Sequence, residues 1–380
     1  MRTKSNLLAI ILLCGFIVSA NAQQSEVKEV KEYDFEELFE KMKALEEEVE
    51  DLKEEIEESK KSCKKETVKE ENKEKKNKKG EGKAILRGFV NFNLQSQGGE
   101  TNVGFKLDRM YLGYEHAFNN GIKVKGIIDF GKPSDVDDYN YVAYIKNAFI
   151  SWSKKGFTVS AGMIPATQSA LQEKLWAKRY IMMVYLDQYK FSHSADLGLS
   201  LEYKFADWVK GDFTMVNGEG YKKIQMNTGL MYGLGFTFTP ISDFYVRIYG
   251  GINNAGRTLK DKTFQENLYN YSSLVGYKGE KFSLVGEFNM VQNFNRVKDN
   301  NQLGCAVYGS AKLHKLIDVY ARYDFLTSNY DSSNDKSAII AGFDILPCKH
   351  VKISPNFRMD IPQHGGDNKY MAYINLMFDL

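Results

Sequence analysis

The sequence of 380 residues has little of several features that define common protein classes. Its 4 cysteines are too few and too scattered for a disulfide framework or a thiolate metal cluster. Beyond residues 1–22 it has no apolar run close to the ~18 to 20 residues of a membrane-spanning helix, which excludes a polytopic helical membrane protein. Its 51 Lys and Arg nearly balance its 49 Asp and Glu, so no overall basic excess favours nucleic acid as a partner.

Signatures of catalysis are also missing from the sequence. The 5 histidines show no metal-ligand spacing, and there is neither a G-x-S-x-G nucleophile motif nor a glycine-rich loop for phosphate. We therefore predict that the protein is not an enzyme and uses no cofactor or metal ion. What the sequence does have is 23 Tyr, 24 Phe and 31 Gly in a chain that is 43% hydrophobic, which is enough to fold an ordered domain.

The N-terminus has the pattern of a signal peptide. Two basic residues precede an apolar stretch at 7–18, and Ala20-Asn21-Ala22 matches the small-x-small site of signal peptidase. We therefore predict that residues 1–22 are removed when the protein is exported.

A heptad pattern follows a short N-terminal segment at 23–33. Apolar residues recur at alternating spacings of 3 and 4 across 34–59, where 13 acidic residues stand against 3 lysines. The pattern predicts a coiled coil, because a solvated single helix of this length is marginally stable without a partner. The pattern does not decide whether the coiled coil contains two helices or three. The seam residues predicted to form the oligomer contact are Phe35, Leu38, Met42, Leu45, Val49, Leu52 and Ile56.

The character of the sequence changes twice after the coiled coil. Residues 60–83 are predicted to be a charged linker, because they hold 11 lysines and 5 acidic residues without apolar periodicity or aromatic groups. From residue 84 onward, apolar residues alternate with small or polar residues. At 226–239, for example, leucine, tyrosine and phenylalanine dominate one face, and glycine, asparagine and threonine dominate the other. Such alternation predicts amphipathic strands.

Sixteen such segments follow one another from 85 to 380, most of them near the ~9 to 11 residues that cross a bilayer as a tilted strand. Short turns alternate with longer connections, beginning with 96–103, and 165–194 is the longest. A secreted β-sandwich also alternates, but the even strand number, the turn pattern and the aromatic richness favour a barrel in lipid. We therefore predict an all-β fold, a transmembrane antiparallel β-barrel of about sixteen strands over 84–380.

In a barrel of this kind the polar faces of the strands line the lumen. The alternation predicts a lining with charges of both signs, which filters solutes only weakly. Each charge has a plainer alternative role, which is to pair with a neighbour across the wall. The charges predicted to face the lumen are Arg109, Arg247, Arg322, Arg358, Glu287, Asp318 and Asp324.

Three stretches of the sequence resemble a known family. They are FKLDRMYLGYEHAFNNGIKVKGIIDFG (105–131), YIKNAFISWSKKGFTVSAGM (144–163) and SADLGLSLEYKFADWVKGDFTMVNGEGYKK (194–223). They are similar to the phosphate-selective porin O and P group of Gram-negative outer membranes, in the version found in Bacteroidetes. The resemblance covers about 84–380 and leaves the coiled coil outside.

The resemblance implies a sixteen-strand, homotrimeric barrel whose third long loop folds inward to constrict the pore. In this chain that loop is 165–194, which contains the stretch QEKLWAKRYIMM. The resemblance places the pore constriction in this loop, and we expect its three cations, Lys174, Lys178 and Arg179, to form it. The alternative is that these side chains lie on the outer surface of the loop or pair with Glu173. Because Lys174 and Lys178 are one helical turn apart, a short helix is expected to present both on one face.

The resemblance leaves the solute open. Phosphate-selecting members of the family look to carry an arginine pair before the Tyr-Leu of the second strand, where this sequence has Asp108 and Arg109. We therefore predict passive diffusion of small hydrophilic solutes, anionic or neutral, with a mild preference for anions such as phosphate. The expected location is the outer membrane, in contact with lipid and lipopolysaccharide, with the coiled coil in the periplasm. The alternative function is an adhesin or structural tether that uses the coiled coil.

Overall fold

The computed structural model describes residues 82–132, 140–223, 228–256, 266–330 and 332–380. The predicted signal peptide, the segment 23–33, the coiled coil with its seam residues and the linker up to residue 81 lie outside the described residues.

Sixteen strands form one closed sheet, in which each strand is antiparallel to both neighbours and the first pairs with the last. This confirms the predicted all-β antiparallel barrel. The strands are β1 (Gly82–Gln97), β2 (Glu100–Ala117), β3 (Ile122–Gly131), β4 (Val142–Lys154), β5 (Phe157–Pro165), β6 (Ala195–Ala206), β7 (Val209–Val216), β8 (Met231–Phe238), β9 (Phe244–Asn253), β10 (Leu268–Lys278), β11 (Phe282–Gln292), β12 (Gln302–His314), β13 (Ile317–Ser328), β14 (Lys336–Cys348), β15 (Val351–Pro362) and β16 (Lys369–Asp379).

The two-residue alternation of the sequence separates the inside of the barrel from the outside. In β8, Leu234 is 52% exposed on the outer face, whereas side chains added at Gly233 and Gly235 would meet Tyr249 and Arg247 inside. Exposed Phe, Leu, Ile and Tyr side chains cover the outer face of most strands. Such a surface is stable in hydrocarbon and costly in water. The outer wall is therefore suited to a membrane.

The connections differ between the two ends of the barrel. Connections of two to five residues close the end that we call the lower end, and seven longer ones lie at the upper end. There the predicted loop 96–103 is wrong, because β1 and β2 continue into a two-residue turn at Gly98 and Gly99. Both glycines have positive φ, 57° and 84°, a conformation that strains other residues, so the pair allows this tight turn.

Bulges interrupt the regular register of the sheet. At the bulge between β1 and β2, Phe89 pairs with Arg109 and Val90 pairs with Leu107, so Asp108 has no cross-strand partner of its own. Strict alternation would place Asp108 and Arg109 on opposite faces. The bulge instead turns both towards the lumen, where they line the same cavity.

Two short helices, α1 (Ala170–Trp176) and α2 (Tyr185–Gln188), lie in the connection between β5 and β6. Within the described part of the chain, no helix is long and apolar enough to span a membrane. The apolar core of the molecule forms where these helices meet the inner wall of the barrel. This connection is therefore the element that shapes the lumen.

Candidate functional site

The connection 166–194, which we call the inward loop, packs against one side of the barrel wall from within. In α1, Trp176 is buried against Tyr308 and Tyr320 of the wall, with ring centroids 5.3 and 6.1 Å apart. In α2, Tyr185 is fully buried. Aromatic side chains bury large apolar areas, so these contacts hold the inward loop against β12 and β13.

Charged side chains of the wall also hold the inward loop through its backbone. Arg247 of β9 donates to the carbonyl oxygen of Thr167 at 2.9 Å. Arg322 of β13 donates to the carbonyl oxygen of Met183 at 2.8 Å. Hydrogen bonds from charged donors are among the stronger ones in proteins. The inward loop is therefore fixed near its start and at its middle.

The close fit of the inward loop predicts a strong effect of one added methyl group. A Cβ at Gly304 of β12 would overlap the hydroxyl of Tyr185, which donates to the carbonyl oxygen of Phe325 at 2.8 Å. We expect Gly304→Ala to displace Tyr185 and to lower the free energy of unfolding by about 1 to 3 kcal/mol. Thermal unfolding in detergent, followed by circular dichroism, measures the loss.

The matched control for this variant is Gly286→Ala on the adjacent strand. Gly286 has no atom within 4 Å of an added Cβ, so its melting temperature should stay at the wild-type value. Equal melting temperatures for the two variants would contradict the tight fit at Gly304.

The three cations predicted at the constriction lie in different places. The helix α1 ends before Ala177, whose left-handed backbone, with a φ of 52°, turns the chain away from the helix. Lys174 therefore donates to the Tyr245 hydroxyl at 3.2 Å, while Lys178 is buried and ion-paired with Asp344 of β14. The expectation that one helical face presents both lysines is wrong. Of the three cations, only Arg179 lines the two cavities on the open side of the barrel.

Two cavities lie on the side of the barrel that the inward loop leaves open. The upper cavity, of about 450 Å³, adjoins β1, β2 and β14 to β16. The lower cavity, of about 520 Å³, adjoins β1 to β4 and the end of β16. Arg179 of the inward loop lines both, so the cavities meet at this residue. We call this meeting point the waist.

Charged groups of both signs surround Arg179 at the waist. Arg179 forms ion pairs with Glu173 and Asp187 of the same loop. Burial favours the neutral form of Asp187, but the adjacent Arg179 outweighs it and lowers the pKa of Asp187 below its ordinary value. Lys146 of β4 adds a second cation, with its Nζ 3.1 Å from the Tyr111 hydroxyl and 4.4 Å from the centroid of that ring.

Arg109 of β2 supplies a third cation on the upper side of the waist. It pairs at 3.1 Å with Asp129 of β3, which is fully buried and does not line either cavity. The waist therefore presents Arg109, Lys146 and Arg179 to the passage, while the carboxylate behind Arg109 is withdrawn from it.

Most of the other charges predicted to face the lumen lie beneath the inward loop. The residues bonded to the loop are Arg247 (to Thr167), Arg322 (to Met183), Glu287 (to Gln172) and Asp324 (to Tyr189). Asp318 of β13 lies opposite Lys312 of β12 and Asp344 of β14 in the sheet. Only Arg358 joins Arg109 in lining the passage.

The sequence pattern missed Lys146 and Asp129. Lys146 lies beside a bulge that shifts the register between Ile127 and Ile128, so the consecutive residues Lys146 and Asn147 both line the lower cavity. Alternation alone gives no signal for such a bulge, because it assumes one residue on each face in turn.

The lining of the passage has more basic than acidic side chains. With Arg179 counted once, ten basic and five acidic residues line the two cavities. The basic residues are Lys83, Arg87, Lys106, Arg109, Lys125, Lys132, Lys146, Arg179, Lys336 and Arg358, and the acidic residues are Asp108, Glu115, Glu173, Asp360 and Asp379. The lumen as a whole carries both signs, but its open part is cationic.

Several solved structures share this fold at low sequence identity. The anion-selective porin from Comamonas acidovorans has a TM-score of 0.60 and 10% identity, over 80% of this chain and 100% of that one. OprB of Pseudomonas putida has a TM-score of 0.60 and 9% identity, over 81% and 96%. OmpF of Salmonella typhi has a TM-score of 0.59 and 11% identity, over 80% and 99%. The barrel of this chain therefore shares the fold of these three proteins.

Sequence comparisons do not assign the chain to a family. No protein-family model matches the chain, and no curated protein matches it. At 9 to 11% identity the structural likenesses establish the fold and not a shared solute. Membership of the phosphate-selective porin O and P group therefore stays a prediction.

Proposed function

We propose that the protein is an outer-membrane channel through which small hydrophilic solutes diffuse passively, with a preference for anions. The apolar outer face supports the membrane location, and the two cavities that meet at Arg179 support a passage through the barrel. Diffusion needs no cofactor, and among the described residues no cluster of three or more His, Cys, Asp or Glu could hold a metal ion.

The excess of basic residues along the passage carries the proposed anion preference. Ten basic residues against five acidic residues line the cavities, although the whole sequence is nearly balanced in charge. Salt screens charges beyond ~8 to 10 Å, so the groups nearest the passing ion discriminate most. We therefore assign selectivity chiefly to Arg109, Lys146 and Arg179 at the waist.

Among the proposed solutes, phosphate is expected to be only weakly preferred. Where the resembling family has a second arginine, this chain has Asp108, which accepts a hydrogen bond from Asn91 and pairs with Lys106 at 3.0 Å. Asp108 lines the upper cavity. A carboxylate at this position opposes a dedicated phosphate site, because it repels a multiply charged anion.

Assembly and orientation are part of the same proposal. The resemblance implies a homotrimer in contact with lipid and lipopolysaccharide, with the coiled coil at 34–59 in the periplasm. The lower end of the barrel then faces the periplasm, because β1 begins and β16 ends there. The anion passage lies within one barrel and does not depend on these features.

Planar bilayer recordings on the full-length protein test the proposal. We expect discrete conductance steps and, in a KCl gradient, a zero-current potential that corresponds to a chloride-to-potassium permeability ratio of about 2 to 5. A folded barrel without conductance steps would favour the adhesin or tether. Conductance steps with cation preference would overturn the anion preference and leave the channel.

A further inference from the structure

Arg358 of β15 differs from the other arginines that line the upper cavity or lie beneath the inward loop. Those that form ion pairs are Arg109, Arg179, Arg247 and Arg322. Within the part of the chain that the structure describes, Arg358 forms no ion pair. Its Nε and Nη2 donate to the side-chain oxygens of Asn356 and Asn375 at 2.8 and 2.9 Å. These amides fix the guanidinium but leave its charge uncompensated.

The carboxylates near Arg358 are already paired with other residues. Asp108 and Asp360 line the upper cavity together with Arg358. Asp108 pairs with Lys106 at 3.0 Å, and Asp360 pairs with Lys336 at 2.7 Å. An anion that enters the upper cavity therefore meets one arginine without a carboxylate partner.

The guanidinium of Arg358 is held in a fixed plane. Its Cζ lies 3.8 Å from the ring centroid of Tyr373. Within the described residues its Nη1 makes no hydrogen bond, and it is not among the buried atoms that lack a partner. Since Arg358 lines the upper cavity, this edge of the guanidinium is open to the passage. A planar guanidinium edge matches the two oxygens of a carboxylate.

The cross-strand partners of Arg358 are apolar. Ile340 of β14 and Met371 of β16 are its direct cross-strand partners, and both line the upper cavity, where they expose only a small apolar edge because they are 2% and 8% exposed. Ile181 and Met182 of the inward loop line the same cavity. Apolar surface favours a ligand with an apolar body, and methionine adapts its shape to such ligands. A hydrated phosphate gains nothing from these neighbours.

We propose that Arg358, Ile340 and Met371 form a binding site in the upper cavity for organic carboxylates that carry an apolar body. The carboxylate binds the open edge of the guanidinium, and the apolar body contacts the neighbours on β14, β16 and the inward loop. This assignment rests on the proposed channel function and names its substrate class. A bound carboxylate then lies directly above the waist.

Block of the chloride current by benzoate, acetate and inorganic phosphate tests the site in planar bilayers with the full-length protein. In the wild type we expect benzoate to block at about fivefold lower concentration than acetate, because only benzoate has an apolar body. In Arg358→Gln, benzoate block should weaken about fivefold and more than phosphate block, because phosphate also binds a guanidinium but gains nothing from the apolar neighbours. The matched control is Lys174→Gln, which removes a loop cation that lines neither cavity. This variant should leave block by benzoate, acetate and phosphate unchanged.

Two further variants separate the parts of the site. Met371→Ser should weaken block by benzoate and leave block by acetate unchanged. Arg358→Lys keeps the charge but not the planar edge, so benzoate block should weaken while the zero-current potential in KCl stays constant.

Two results would contradict the proposed carboxylate site and leave the proposed channel function intact. One is equal block by benzoate and acetate in the wild type, and the other is an equal loss for all three anions in Arg358→Gln. A wild-type channel without anion preference in KCl is a separate result that overturns the proposed anion preference itself.

Discussion

Replacing Arg179 with glutamine is expected to change the channel from anion preference to cation preference. Arg179 lines both cavities, and its removal leaves Glu173 facing the lower cavity without its cationic partner. One charge at a few ångströms in a water-filled pore contributes about 1 kcal/mol. Anions lose this attraction and cations lose the matching repulsion, so the two effects add to about 2 kcal/mol and the permeability ratio should change about thirtyfold. The zero-current potential in a KCl gradient measures the change.

The control for Arg179→Gln is Lys174→Gln in the same loop. Lys174 is exposed and of the same charge, but it lines neither of the two cavities. We expect its permeability ratio to stay within about twofold of the wild type, because screening weakens distant charges. Equal shifts in both variants would mean that the total charge of the loop, and not the waist, sets selectivity. An unchanged potential in Arg179→Gln would leave Arg109 and Lys146 as the filter.

The barrel could be predicted because its pattern is local. Each strand shows its inner and outer faces in its own residues, so the alternation at 226–239 predicts a strand there, and β8 lies at Met231–Phe238. The alternation does not predict the turn at Gly98 and Gly99, because it marks which side chains face inward but not where two paired strands end.

The position of each loop cation could not be predicted from the sequence. It depends on Ala177, whose backbone ends α1, and on Asp344, which lies 166 residues further along the chain from Lys178. Composition shows that the stretch is cationic, but the partner of each side chain is fixed only when the barrel closes. Lys178 therefore pairs with Asp344 and holds the inward loop to the wall, whereas the adjacent Arg179 lies at the waist.

Replacing Asp344 with leucine is expected to release the inward loop. Asp344 accepts from Lys178 and from the Tyr180 hydroxyl, and all three groups are buried. The variant leaves a buried ammonium and a buried hydroxyl without partners, which costs about 3 to 5 kcal/mol. Thermal unfolding should occur at a lower temperature, and single-channel currents should fluctuate because Arg179, adjacent to Lys178, is no longer held at the waist.

The matched repair replaces all three polar groups with apolar ones of similar volume, as Lys178→Met, Tyr180→Phe and Asp344→Leu together. Replacing a buried ion pair in this way is often neutral, because no uncompensated charge remains. We therefore expect the triple variant to regain stability to within about 1 kcal/mol of the wild type and to carry steady current. If Asp344→Leu alone is already as stable and as steady as the wild type, the packing of Trp176 and Tyr185 holds the loop without the ion pair. If the single and triple variants are equally unstable, the site requires its polar groups for the shape of the loop, because charge compensation alone would then not restore the waist.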